Sequence, residues 1–558
     1  MAQPITRRLR PHLFHRLRTH HHHHHHPHPH PHSHLHHHTP AGRTFSAAHA
    51  PCQRGEKAGP ATTHDYERRV GQLQADKQPL QDCYPRLPRR FAEKRRSIAQ
   101  FRAQHETVAA GQTGHEIVTV VGRISSVRTA GSKLVFLDIS DHPSTSLQAV
   151  CQLSHIPPDG SPHDFPSFRR IARRGDWYAI TGHPHRTQRG ELSVLATALP
   201  RLLSPSLHQI PDALDDPETR ARNRHIDALV NPSALQPLLV RHHIERHLST
   251  FLDARGFVKV QPPPILTGRG RRAVARAFDT EPPSSPSLRD RSRLPQRSVD
   301  ATHNPEFSIC EFYEAFATLD DLLTTTESLL ADLESSLHLA LPDLPAPATT
   351  LRGPYPRLEF LPTLESALNH RLPSLTSPTA QSDLHHLFLT HVPDALAHLP
   401  AHPTLPRLLD ALSTLYLEPL CQSPTYITHH PAALSPLAKH FVCPRTGQTV
   451  AARAELFIRG REYANMYEEE NSPFEQRRKL AEQVASSRAA DGDEGGVLEH
   501  DGAAVDEAYV AALEWGLPPT GGWGCGVERL VMLFSGRDRI AEVLPFGTVR
   551  NVAGLGRR

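Results

Sequence analysis

No stretch of the 558 residues supplies the roughly 20 consecutive apolar residues needed to cross a bilayer. Every apolar run is cut by Arg, His, Asp or Pro, so no membrane span is expected. The seven cysteines, Cys52, Cys83, Cys151, Cys310, Cys421, Cys443 and Cys525, lie far apart without a single Cys-x-x-Cys pair. That spacing suggests neither a zinc site nor a disulfide framework, and a reducing compartment fits it better. Residues 1–55 contain no Asp or Glu at all, the first acid being Glu56. They also lack the apolar core of a secretory signal.

What is present is enough for two or three globular units, since 38% of a long chain is apolar. The net charge of +4 is small but uneven, with Arg gathered in the first hundred residues and acid gathered in 455–514. A basic surface for nucleic acid beside an acidic active site would give that asymmetry, as would an ordinary solvated surface. The leader holds seven arginines and the stretch Arg43-Thr-Phe-Ser-Ala-Ala-His-Ala50. Arg-rich, acid-free composition is the pattern of a transit peptide drawn inward by the membrane potential, so residues 1–55 predict delivery to the mitochondrial matrix. The run His20–His26 and the His-Pro repeats after it are read as a polar tract without assigned function.

From Tyr66 to Phe101 the chain is charged and helix-like; then the period changes. Five short strand-like runs, 118–123, 134–139, 147–152, 177–182 and 192–197, are divided by Gly, Pro and Ser. Five such strands suit an OB barrel, a fold that binds single-stranded nucleic acid. Phe136 offers a stacking face, and Arg123, Arg128 and Gln148 offer hydrogen bonds to an unpaired base; a buried Phe among exposed polar residues is the plainer reading.

Further on, Ile244–Arg255 reads as an amphipathic helix ended by Gly256. In the acidic block Glu455-Leu-Phe-Ile-Arg-Gly-Arg-Glu462-Tyr-Ala-Asn465-Met-Tyr467-Glu468-Glu469, the period of two in an extended chain puts Asn465, Tyr467 and Glu469 on one face. An amide, a ring and a carboxylate together suit an aliphatic side chain that ends in an ammonium. Glu311 and Tyr313 face together by the same rule. Near the carboxyl end, Gly522-Trp-Gly-Cys-Gly-Val-Glu-Arg529 is a glycine-rich strand turning into a helix. Its glycines admit a nucleotide close to the backbone, and its guanidinium suits a terminal phosphate.

These blocks resemble the class II aminoacyl-tRNA synthetases of the lysyl, aspartyl and asparaginyl group, and within it the mitochondrial lysyl enzymes. Val-Val-Gly-Arg123 followed by Phe136-Leu-Asp-Ile139 is similar to that group's anticodon-binding barrel; Gly256–Pro264 is similar to motif 1, Ala301–Phe316 to the end of motif 2, and Gly522–Phe534 to motif 3. The resemblance implies an α+β fold: an amino-terminal five-stranded OB barrel over 64–205, and an antiparallel class II sheet flanked by helices over 206–558. It implies ATP-dependent joining of lysine to tRNA(Lys) through a lysyl-adenylate, by a homodimer. Arg529 and Glu462 would be catalytic. His303, Asn304, Phe307, Glu528 and Arg529 would bind ATP, and Glu455 and Glu462 would hold Mg2+. Glu311, Tyr313, Asn465, Tyr467 and Glu469 would bind lysine, and Phe136, Gln148 and Arg128 the anticodon. Asp279–Asp300 is shorter than the family's span there and lacks its Phe-Arg-Asn-Glu signature, so a core strand and an arginine are expected to be missing. Alternatives are therefore a synthetase-like RNA-binding protein with impaired catalysis, or a coding sequence whose reading frame shifts across Ser292–Arg297.

Overall fold

A computed structural model describes residues 60–75, 83–87, 91, 95–142, 145–156, 164–260, 277–281, 307–347, 349–393, 399, 403–491 and 505–547. The leader, the 261–276 stretch, His303 and Asn304 lie outside these. The expected five strands form a closed barrel: β1 (Val118–Thr129), β2 (Leu134–His142), β3 (Thr145–Gln152), β4 (Trp177–Arg186) and β5 (Leu192–Ala196). The order is β1-β2-β3-β5-β4, and β4 pairs back onto β1 to close it. Alternation explains the closure. Val135, Leu137 and Ile139 point inward and are fully buried, while Phe136, Asp138 and Ser140 between them point out. The strands run further than the sequence suggested, because β1 bulges near Ile124–Ser126 and continues to Thr129. Helix α1 (Pro60–Ala75) is fixed to the barrel by Arg69, whose guanidinium bonds both oxygens of the buried Asp176 at 3.0 and 2.8 Å and the Ile171 carbonyl at 2.6 Å.

The second sheet has eight strands: β6 (Val258–Lys259), β7 (Ala277–Glu281), β8 (Ile309–Ala315), β9 (Arg357–Glu359), β10 (Thr425–Thr428), β11 (Arg453–Ile458), β12 (Arg461–Glu468) and β13 (Thr520–Gly526). Their spatial order is β9-β10-β11-β12-β13-β8-β7-β6. The backbone thus differs from one expectation: β7 lies antiparallel on β8, with Glu311 opposite Asp279, where a strand was expected to be absent. The shortened segment still supplies a hydrogen-bonding edge there.

Helices α2 (Gln236–Asp253), α3 (Leu319–Ala340) and α4 (Val527–Ser535) share a core with one face of this sheet. Helix α2 begins eight residues before the amphipathic pattern was recognised, and the chain turns out of it at Gly256 with φ +80°. Helix α3 starts at a capping box between Thr318 and Asp321 and buries Leu319, Leu322, Leu323, Leu329, Leu330, Leu333 and Leu337, an i, i+3, i+4, i+7 stripe. Against that stripe Trp523 stacks on Phe312 at 4.9 Å and donates to Thr326 Oγ1 at 2.8 Å. Truncating an aromatic ring so enclosed costs about 3–5 kcal/mol. The ring therefore anchors the sheet whose opposite face carries the chemistry.

Candidate active site

In β13 the large side chains Trp523 and Cys525 go to the helix side, so Gly522, Gly524 and Gly526 face the other way. The register then builds the site. Gly522 lies between Tyr313 of β8 and Tyr467 of β12, and Gly524 between Glu311 and Asn465. With no side chains in the middle strand, a trough runs between the two flanking strands, and it opens into a cavity of about 300 Å³. A Cβ on Gly522 would stand 2.1 Å from Glu469 Oε1, so the glycine is required by the approach of that carboxylate. Glu469 is 2% exposed, and Tyr313 Oη donates to Glu311 Oε2 at 3.4 Å. The expected lysine set, Glu311, Tyr313, Asn465, Tyr467 and Glu469, is thus gathered around one cavity. Two carboxylates and two phenol rings around an apolar slot suit an alkyl chain ending in a cation.

Phe307 lines the same cavity and Arg529 stands at its end in the first turn of α4. Arg529 Nη1 donates to the Glu462 carbonyl at 2.6 Å and to Glu462 Oε2 at 3.2 Å. Glu528, expected beside ATP, sits at the cavity wall but is 3% exposed and held from behind. It accepts from Arg241 of α2 at 2.6 Å and from the Ser308 backbone N–H at 2.8 Å. It reaches the nucleotide region through the Phe307–Ser308 backbone.

Beyond Arg529 a second cavity of about 540 Å³ receives Glu455 and Glu462. Burial alone would raise the Glu455 carboxyl, but Arg453 and His430 beside it overcome that and hold it well below its ordinary value. Glu462 moves the other way: burial, then the neighbouring Glu455 charge, raise its carboxyl against the pull of Arg529. Two carboxylates that repel each other in this way are a hard oxygen donor pair, and a divalent cation relieves the repulsion. Among the described residues no group of three His, Cys, Asp or Glu side chains is placed to hold a metal.

Sequence reasoning missed Arg453. It bonds Glu455, the Asn465 Oδ1 at 3.1 Å and the Leu434 carbonyl at 2.8 Å, joining the acidic pair to the lysine set. Its spacing of two from Glu455 in a strand was the available signal. Arg241 carried no such signal, because its partner Glu528 is 287 residues away.

On the barrel, Arg128 lies opposite Phe136 and Gln148 opposite Asp138, so the three expected anticodon residues share one outward face. Arg128 sits 5.9 Å from the Phe136 ring centre and donates to both Asp138 oxygens at 3.0 and 3.1 Å; Gln148 Oε1 accepts from Ser193 at 3.2 Å. Arg123 stacks on Trp177 at 5.2 Å.

Comparison with known proteins agrees with this geometry. A family model described as tRNA synthetases class II (D, K and N) matches residues 216–290 and 296–550, and one described as an OB-fold nucleic acid binding domain matches 118–201. The break in the first match, 291–295, falls in the shortened segment. The mitochondrial lysine–tRNA ligase of Schizosaccharomyces pombe is 35% identical over 461 residues, covering 78% of this chain and 84% of its own. That of Saccharomyces cerevisiae is 34% identical over 491 residues, covering 78% and 82%. The lysine–tRNA ligase of Deinococcus radiodurans is 31% identical over 477 residues, covering 80% and 85%.

Proposed function

Since the chain belongs to the class II tRNA synthetases of the aspartyl, lysyl and asparaginyl group, we infer from its pocket that it is a lysine–tRNA ligase. One observation carries the choice within the group: Glu311 and the buried Glu469 face the trough, where an acidic substrate would require a cation. The Schizosaccharomyces pombe and Saccharomyces cerevisiae relatives are mitochondrial enzymes, which supports a mitochondrial location; the matrix, where the leader composition directs it, is the compartment we propose.

The reaction uses ATP, lysine and tRNA, and its first step is attack of the lysine carboxylate on the α-phosphorus of ATP, with pyrophosphate leaving. Glu311 and Glu469 hold the ammonium end, Tyr313 and Tyr467 enclose the methylenes, and Asn465 orients the α-carbon end. Phe307 stacks on the adenine while Arg529 receives the terminal phosphate. His303 and Asn304 belong near the phosphates on the family pattern. Glu455 and Glu462 are the residues that would hold Mg2+, which supplies charge neutralisation to the phosphates. In the second step the ribose hydroxyl of the RNA's terminal adenosine attacks the lysyl carbonyl and AMP leaves. No enzyme nucleophile is required; positioning and electrostatics supply the rate. Phe136, Arg128 and Gln148 read the anticodon, and the enzyme works as a homodimer, as motif 1 implies in this family.

The test is lysine-dependent ATP–pyrophosphate exchange by the purified protein, with Arg529→Ala alongside. Exchange reduced on the order of 100-fold or more in the variant supports the reading. Exchange that is absent in the parent protein, while RNA binding persists, would instead assign it to RNA binding alone.

A further inference from the structure

Behind the phosphate end of the site lies a third, smaller cavity of about 210 Å³, lined by three arginines from two separate turns: Arg459 and Arg461 flank the β11–β12 turn, and Arg537 follows α4. We propose that this cavity is a binding site for a free diphosphate or phosphate anion, a station for the pyrophosphate released by lysine activation. The proposal rests on the lysyl-adenylate reading and extends it to the fate of the leaving group.

The side chains around the cavity support it. Arg459 at φ +54° and Gly460 at φ +68° form the two-residue hairpin turn that joins β11 to β12, so Arg459 and Arg461 project from one short turn. Arg537 donates to the Ser233 carbonyl at 3.2 Å and lies 3.9 Å from Glu542, yet among the described residues its buried Nε–H has no hydrogen-bond partner. A guanidinium presents its donors as a fork matched to phosphate oxygens, which would satisfy that group.

The cavity also adjoins the phosphate end of the active site. Arg461, Tyr463 and Met532 line both this cavity and the one that holds Glu455, Glu462 and Arg529. Size decides between partners. A 210 Å³ recess that shares wall residues with the nucleotide site suits a small anion, whereas an RNA backbone needs an open groove. One carboxylate faces the cavity, Asp538, 3.5 Å from Arg461 and 78% exposed, which leaves the three-arginine site net cationic.

The test uses the full-length protein and two variants, Arg459→Ala/Arg537→Ala and Arg459→Lys/Arg537→Lys, neither altering a residue assigned to the reaction. In ATP–pyrophosphate exchange, the alanine pair should raise the pyrophosphate concentration for half-maximal rate roughly tenfold, the loss expected for a charge-assisted contact or two. The half-saturating ATP and lysine concentrations should stay within about twofold, and the lysine pair should recover part of the loss by restoring point charge. Equilibrium dialysis with labelled pyrophosphate, without ATP or lysine, should show the same tenfold difference. An unchanged pyrophosphate dependence in both assays overturns the site. Weakened RNA charging with unchanged pyrophosphate binding overturns it too, and gives these arginines to RNA. Absence of exchange in the parent protein overturns the activity reading instead, and dialysis then still decides the anion site.

Discussion

At the scale of single residues, Gly522 and Glu462 are the most exposed to test. Gly522→Ala puts a Cβ within 2.1 Å of Glu469 Oε1, against a backbone pinned on both sides by β8 and β12. The expected outcome is a rise of about 100-fold in the half-saturating lysine concentration in the exchange assay, with the ATP requirement changed far less. Glu462 gives a stability prediction with a definite sign. Its folded-state carboxyl is raised by burial and by Glu455, so it destabilises the metal-free protein at neutral pH, and the penalty fades as pH falls toward the ordinary value of 4.5. Thermal melts of Glu462→Gln without metal should therefore show Tm higher by on the order of 1–2 °C near neutrality, with the gap closing in acid. The same variant should lose activity, the pattern expected where a site stores repulsion for a ligand. The residue-level reading of the sequence put Asn465, Tyr467 and Glu469 on one face because a strand's period of two needs no tertiary knowledge. It missed Arg241, whose role depends on the distant chain segment that packs beside it.

At the scale of elements, the β13–α4 turn is the joint that holds Arg529. Behind it the buried Glu528 is satisfied by Arg241 of α2 and the Ser308 N–H. Arg241→Ala leaves that carboxylate buried without its cation, and urea unfolding should show a loss of about 2–4 kcal/mol. Arg241→Ala/Glu528→Gln should recover part of it, because the uncompensated charge is gone. The five barrel strands and the second half of helix α2 were legible from periodicity alone, since each element has one buried face. Strand β7 was not: Ala277-Phe-Asp-Thr-Glu281 is too short to show a period and runs into a stretch rich in Pro, Ser and Arg, and the hydrogen bonds that make it a strand come from the edges of β8 and β6.

At the scale of the whole molecule, the proposed function divides the work between two sheets: the barrel face bearing Phe136, Arg128 and Gln148 would touch RNA, and the eight-stranded sheet would make the adenylate. Arg128→Ala/Phe136→Ala should therefore leave lysine-dependent pyrophosphate exchange within about twofold while raising the half-saturating tRNA concentration roughly 10–100-fold, the range for losing one or two stacked or hydrogen-bonded bases. Equal loss in both assays would mean that the barrel supports the fold of the site. The motifs at 455–471 and 522–534 made the family readable because glycine, Glu and Arg occur there at spacings that only a shared chemistry explains.

The most direct test of the central claim is amino-acid-dependent charging of a lysine tRNA transcript by the parent protein and by Glu469→Gln. Charging is expected with lysine and not with aspartate or asparagine, with a fall in kcat/KM for lysine of about 100-fold or more in the variant, because a neutral amide replaces the buried carboxylate proposed to pair with the ammonium. Charging with aspartate or asparagine, or lysine charging untouched by the substitution, would contradict it.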